Sequence, residues 1–136
     1  MSARGTELGW LGIFRLGLVQ ASLGAIVVLT TSTLNRVMVV ELAMAAMIPG
    51  LLVGLHYAVQ ISRPRMGYGS DVGGRRTPWI VGGMATLAGG AITAALATAW
   101  MAEQRLAGVC LAALAFVFIG LGVGAAGTSL LAPRTR

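Results

Sequence analysis

The single histidine of the chain, His56, stands four residues before Gln60 in an apolar segment. In a helix, residues four apart lie on the same face, so the imidazole and the amide are predicted to be neighbours. A neutral imidazole in this setting can hydrogen-bond to an adjacent helix, or it can act as a metal ligand. Both uses stay open at this stage, and His56 is the candidate binding residue of the chain.

No catalytic constellation accompanies this histidine. The sequence has one histidine and one cysteine, Cys110, so it cannot build a zinc site from nitrogen and sulfur ligands. It has no hydrolase nucleophile elbow and no Ser–His–Asp set. We therefore predict a protein that is not an enzyme and has no metal site of its own, with Cys110 as a small side chain of an apolar helix.

Charge is concentrated in the stretch "RPRMGYGSDVGGRRTPW", residues 63–79, which holds four of the ten arginines and one of the four acids. One interpretation is that these arginines anchor a cytoplasmic loop at the anionic membrane surface, with Asp71 balancing them. Asp71 and Arg75 are also four apart and would face each other on a helical turn. Pro78 suits the first turn of the helix that follows.

The composition predicts the fold class. Of 136 residues, 57% are hydrophobic and only 10% are charged, which is too few polar residues to cover a soluble domain. Four apolar segments have the length of about 20 residues that a membrane-spanning helix needs. We predict an all-α integral membrane helical bundle in one domain, residues 1–136. Its predicted transmembrane helices are 14–34, 42–61, 79–100 and 106–131.

The arginines predict the orientation. With a cytoplasmic N-terminus, most of them fall inside and only Arg36 and Arg105 fall outside, which is the positive-inside pattern. Four spans return the C-terminus to the cytoplasm, so we expect a multi-pass protein of the inner membrane with both termini inside. The arginines flank apolar spans and form no basic face, so nucleic acid is not a predicted partner.

Small residues predict where helices meet. Gly50 and Gly54 in the second segment, and Gly120 and Gly124 in the fourth, have the GxxxG spacing of close helix contacts in membranes. These contacts could form inside the chain or with a partner. Pro49 is expected to kink the second span, because proline lacks an N–H group.

The charged stretch resembles the signature loop of major facilitator superfamily transporters, roughly G-x-x-x-D-x-x-G-R-R. It stands here as "GYGSDVGGRR", with Val72 where that pattern usually has arginine. The residues that match are Gly67, Asp71, Gly74, Arg75 and Arg76. The longer run "LVQASLGAIVVLTTSTLNRVMVVELAMAAMIPGLLVGLHYAVQ", continuing into "RPRMGYGSDVGGRRTPWIVGGM", resembles the PucC family, as does "GVGAAGTSLLA" near the end.

The PucC resemblance implies a function. That family assembles light-harvesting complexes of purple phototrophic bacteria on a twelve-span facilitator fold. The resemblance implies that this chain is an assembly factor or accessory subunit of light-harvesting or reaction-centre complexes. It would lie in the intracytoplasmic membrane and have antenna polypeptides as partners. His56 would then be a candidate magnesium ligand of bacteriochlorophyll, with Gly54 leaving room for the macrocycle.

The four predicted spans are far fewer than twelve. Either the chain is a shortened relative or it is a fragment of a longer protein, and the sequence leaves both open. A different function, part of a facilitator-type transporter completed by other chains, follows from the same fold. A non-functional remnant is the third interpretation.

Overall fold

The computed structural model describes residues 9–72 and 76–131, and gives only the backbone for 70, 71, 76 and 129–131. Every regular element in this part of the chain is helical. The α-helices are α1 (Trp10–Arg36), α2 (Met47–Val59), α3 (Arg63–Val72), α4 (Arg76–Trp100) and α5 (Arg105–Leu131). A π-helical segment, Val37–Glu41, continues α1, and a 3-10 turn, Gln60–Ser62, joins α2 to α3.

Among the residues that the structure describes, three helical segments are long and apolar enough to cross a membrane: Trp10–Glu41, Thr77–Trp100 and Arg105–Thr128. They overlap the first, third and fourth predicted spans. An isolated apolar block of this length satisfies its backbone hydrogen bonds in lipid only as a helix. The expected all-α membrane bundle is thereby confirmed.

The second predicted span, 42–61, differs in detail. The chain turns at residues 42–46, where Ala43 has a φ of 47°, and α2 begins only at Met47. Its 13 residues cover about 20 Å at 1.5 Å per residue, less than the hydrocarbon core. Pro49 lies in the first turn of α2, where its missing N–H has no intrahelical acceptor, so its position does not require the kink that the sequence predicts.

The charged stretch is also more regular than a loop. Residues 63–72 form α3, and Pro64 is accommodated because it stands in the first turn of that helix. With the 3-10 turn, α2 and α3 make a helical run from residue 47 to residue 72. The predicted cytoplasmic loop is therefore mostly a helix that extends the second segment.

Helix α5 is the centre of the bundle. It packs antiparallel to α4 at very short range, since a Cβ on Gly83 would lie 2.6 Å from the Ala126 nitrogen and one on Gly90 2.9 Å from Ile119. It packs parallel to α2 and α3 on another side, where Gly120 meets α2 and Gly124 meets α3. Small residues on two sides of α5 thus allow two neighbours to approach it closely.

Helix α1 is peripheral. Only 6% of its most apolar 18-residue window is buried, against 39% for α5. Large side chains such as Phe14, Leu18 and Leu29 are 59–67% exposed. Its few buried residues include Leu23 and Leu34, which join the common core. In lipid such a surface is stable, but it is also open to another membrane protein.

Candidate functional site at the α2–α5 interface

His56 and Gln60 do lie side by side, as their spacing predicts. The Gln60 amide nitrogen is 2.6 Å from His56 Nε2. With the amide as the donor, Nε2 is the acceptor and the ring proton is on Nδ1. Gln60 belongs to the 3-10 turn that follows α2, and the change of helix type still keeps the two side chains together.

The imidazole is buried within the bundle. His56 has 0% exposure and Nδ1 has no hydrogen bond of good geometry among the described residues. The backbone carbonyl of Phe116 on α5 faces the ring. The Tyr57 ring stands edge-on to it at a centroid distance of 5.1 Å. His56 is therefore a polar contact between α2 and α5.

The surroundings of His56 do not fit a bacteriochlorophyll ligated by this imidazole. Nε2 is occupied by Gln60, and Nδ1 is buried against α5. Gly54 does not make room for a macrocycle on this ring, because residues two apart on a helix point to nearly opposite sides. Accordingly, Gly54 faces open space while His56 faces the core.

The four predicted packing glycines fall into two groups. A Cβ on Gly120 would lie 2.8 Å from the His56 carbonyl oxygen, and one on Gly124 would lie 2.9 Å from Met66 Sδ. Gly50 and Gly54 lie on the outward side of α2, where a Cβ would meet no atom within 4 Å. The same spacing thus marks a contact within the chain in α5 and an open face in α2.

The facilitator-like signature is only partly visible. Gly67 is buried on α3, and a Cβ there would lie 2.9 Å from Thr128 Cγ2 on α5. Asp71 and Arg76 stand at the end of α3 and the start of α4, and their side chains lie outside the described part of the structure. Gly74 and Arg75 lie outside it altogether, so the role of this motif stays a prediction.

Comparison with known proteins assigns the chain to a family. Residues 33–135 match the family model described as PUCC protein. The chain belongs to the PucC family. Among the relatives of this PucC-family chain is the "Bacteriochlorophyll synthase 44.5 kDa chain" of Rhodobacter capsulatus. It is 58% identical over 125 residues, covering 92% of this chain and 29% of that protein.

Two further relatives carry the name "Protein PucC". The protein from Cereibacter sphaeroides is 37% identical over 140 residues, covering 90% of this chain and 30% of the relative. The protein from Rhodovulum sulfidophilum is 34% identical over 140 residues, covering 90% and 31%. This chain spans about three tenths of the length of the curated relatives it matches. No solved structure matches it.

Sequence reasoning missed several close contacts of the PucC-family chain. Gly83 and Gly122 meet across α4 and α5, and Gly69 on α3 lies against the Trp79 ring on α4. Arg105, at the start of α5, donates from Nη2 to the Leu42 carbonyl at 3.2 Å. Gly83 and Gly90 are seven residues apart, about two helical turns, so their spacing could have predicted that both lie on the face of α4 that contacts another helix.

Proposed function

We propose that this chain is an integral membrane part of an assembly factor or accessory subunit for purple-bacterial light-harvesting and reaction-centre complexes. Family membership supports the photosynthetic role, because the relatives are named for PucC and for bacteriochlorophyll synthase. In this role the protein contacts antenna polypeptides within the bilayer.

The observation that carries the proposal is the outward side of α2, which we call the outer α2 face: Met47, Gly50, Leu51, Gly54 and Tyr57. The three large side chains are 61–70% exposed, and both glycines face open space. Two glycines in GxxxG spacing let a neighbouring transmembrane helix approach closely. A transmembrane helix of an antenna polypeptide would suit this face.

We place bacteriochlorophyll with the antenna partners instead of on His56, because the imidazole is enclosed between α2 and α5. Replacing His56 with Phe should leave the pigment recovered per antenna polypeptide unchanged in complexes captured with the protein. A selective loss of pigment, with antenna recovery intact, would contradict this placement.

The role we propose is not catalytic. The name of the Rhodobacter capsulatus relative refers to bacteriochlorophyll synthesis, so a part in pigment chemistry is the alternative. In the described helices the His56 imidazole is buried in a helix contact and hydrogen-bonded to half-buried Gln60, which favours a packing role for this pair and so an assembly role for the protein.

Affinity purification from phototrophic membranes tests the proposal. A tagged protein should recover antenna polypeptides, identified by mass spectrometry, and Gly50→Leu with Gly54→Leu should lower that recovery severalfold. A Cβ at either glycine meets no described atom within 4 Å, so we expect the fold to persist. Gly89→Leu on α4 is the matched control, because a Cβ there also meets nothing within 4 Å.

Equal recovery from the Gly50/Gly54 variant and the wild type would contradict antenna binding at the outer α2 face. Recovery of no antenna polypeptide by the wild type would contradict the proposed function as a whole.

We further propose that the protein lies in the inner membrane with cytoplasmic termini. The α4–α5 turn, with exposed Glu103, is then periplasmic, and exposed Arg65 on α3 is cytoplasmic. In a Cys110→Ser background, a membrane-impermeant thiol reagent should label Glu103→Cys from the periplasm. It should label Arg65→Cys only after the membrane is opened, and the reverse pattern would invert the orientation.

A further inference from the structure

A groove of about 320 Å³ opens at the end of the bundle where α2 and α5 begin. Its walls come from the turn at residues 42–46, the first turn of α2 and the first turns of α5. The lining residues are Met44, Ala45, Ile48, Arg105, Leu106 and Val109. All but one of these side chains are apolar, so the groove is hydrophobic with one charged group.

Arg105 supplies that charge. Its side chain is exposed, and Nη2 donates one hydrogen bond to the Leu42 carbonyl. A guanidinium has five N–H donors, so most of its donors remain available. Within the part of the chain that the structure describes, no carboxylate pairs with Arg105. The bond to Leu42 fixes the guanidinium at the groove, which prepares it for an anion.

An amphiphile with an anionic head matches this combination of groups. Arginine binds phosphate through two parallel hydrogen bonds, and Arg105 stands at the first residue of a membrane-spanning helix, where lipid headgroups lie. The apolar floor of Ile48 and Val109 suits an acyl chain. The volume is at the lower end for ligand sites, which fits one chain better than a macrocycle.

We propose that this groove binds an anionic phospholipid, with the phosphate on Arg105 and an acyl chain along α2 and α5. Other charged residues at the same end are Arg36, Glu41 and Glu103, and with Arg105 they sum to zero. The net charge of this end therefore gives no attraction for anions. Any preference for an anionic over a zwitterionic lipid must therefore come from Arg105 at the groove.

Native mass spectrometry of the full chain in detergent tests this proposal. The probes are phosphatidylglycerol, phosphatidylcholine and glycerol phosphate, each titrated separately. The wild type should retain phosphatidylglycerol over phosphatidylcholine. Arg105→Gln should reduce phosphatidylglycerol binding by about tenfold or more, the size expected for the loss of one hydrogen bond to a charged group. Arg36→Gln is the matched control, since it removes the same charge outside the groove.

Two more variants separate the parts of the site. Arg105→Lys keeps the charge but not the two parallel hydrogen bonds, so it should retain only part of the preference for phosphatidylglycerol. Val109→Trp should fill the groove and weaken phosphatidylglycerol binding although Arg105 is intact. Thermal unfolding of each variant checks that the fold persists.

Three results would overturn the proposal. The first is an equal loss in Arg36→Gln and Arg105→Gln, which would show non-specific attraction. The second is binding of glycerol phosphate as tight as that of phosphatidylglycerol, which would show an anion site without a chain. The third is a Val109→Trp variant that changes self-association or antenna capture but keeps lipid binding, which would assign the groove to a polypeptide.

Discussion

At the residue scale, the buried imidazole of His56 relies on one partner. Gln60 satisfies Nε2, and α5 covers the rest of the ring. A buried polar group that loses its hydrogen-bond partner destabilises the folded state, even if the helix itself remains. The pair therefore contributes to how α2 is held against α5.

Removing only the Gln60 amide should destabilise the protein more than removing both polar groups of the pair. Gln60→Leu should lower the free energy of unfolding by about 1 kcal/mol, because it leaves Nε2 without a donor. The double variant His56→Leu with Gln60→Leu should recover part of that loss. Unfolding by SDS titration in mild detergent measures both, and strictly additive effects would argue against the hydrogen bond.

The glycines between α4 and α5 are equally specific. A Cβ on Gly122 would lie 2.5 Å from the Leu87 nitrogen and 2.6 Å from the Gly83 oxygen, so backbone must move. Gly122→Ala should destabilise the protein by about 1–3 kcal/mol, as overpacking does. Gly89→Ala has open space on the same helix pair and should change stability little. The same SDS titration compares them, and equal effects would contradict this packing.

At the element scale, α2, the 3-10 turn and α3 act as one helical run beside α5. This run and α5 contact each other in the same order along their lengths. The contacts are His56 with Gly120, Met66 with Gly124, and Gly67 with Thr128. The charged segment is thus attached to α5 through small residues.

Enlarging Gly67 should detach α3. Gly67→Leu places atoms where Thr128 already lies, and the β-branched threonine can move little. Spin labels at Tyr68 and Leu114, both exposed, should report a broader and longer distance distribution in this variant than in wild type, in a Cys110→Ser background. Leu114 lies outside the altered contact, so an unchanged distribution would show that Gly67 does not hold α3 to α5.

At the scale of the whole molecule, the bundle leaves much of its apolar surface uncovered. Helix α1 and the outer α2 face are almost entirely exposed, while α4 and α5 bury each other closely. Lipid can cover such surfaces, so exposure alone does not require a partner. Cross-linking in native membranes distinguishes lipid from polypeptide neighbours.

The proposed function places antenna polypeptides beside the protein, and Phe14 is 67% exposed, so a photo-reactive benzoylphenylalanine at this position should cross-link to other polypeptides in phototrophic membranes. The same group at Phe116, which is 2% exposed, should react only within the chain. Gel mobility and mass spectrometry of the products provide the measurement. Lipid adducts alone at Phe14 would show that α1 has no polypeptide neighbour there.

The sequence by itself determined the all-helical membrane class and three of the four predicted spans, because lipid forces an apolar block to satisfy its own backbone. It also placed His56 beside Gln60, since four residues make about one helical turn. Only the tertiary structure located the turn before α2. Residues 42–46 are "LAMAA", which contain no turn signal, and Pro49 looked like the break although it suits a first turn.

Tertiary packing likewise decided which glycines meet a neighbour within the chain. Gly50 with Gly54, and Gly120 with Gly124, have identical spacing, yet only the α5 pair lies against another helix of this bundle. The direction in which each helix faces depends on its rotation against its neighbours, and a local pattern carries no information about that rotation. For the same reason the sequence could suggest His56 as a ligand, while the fold turned its imidazole into the helix contact.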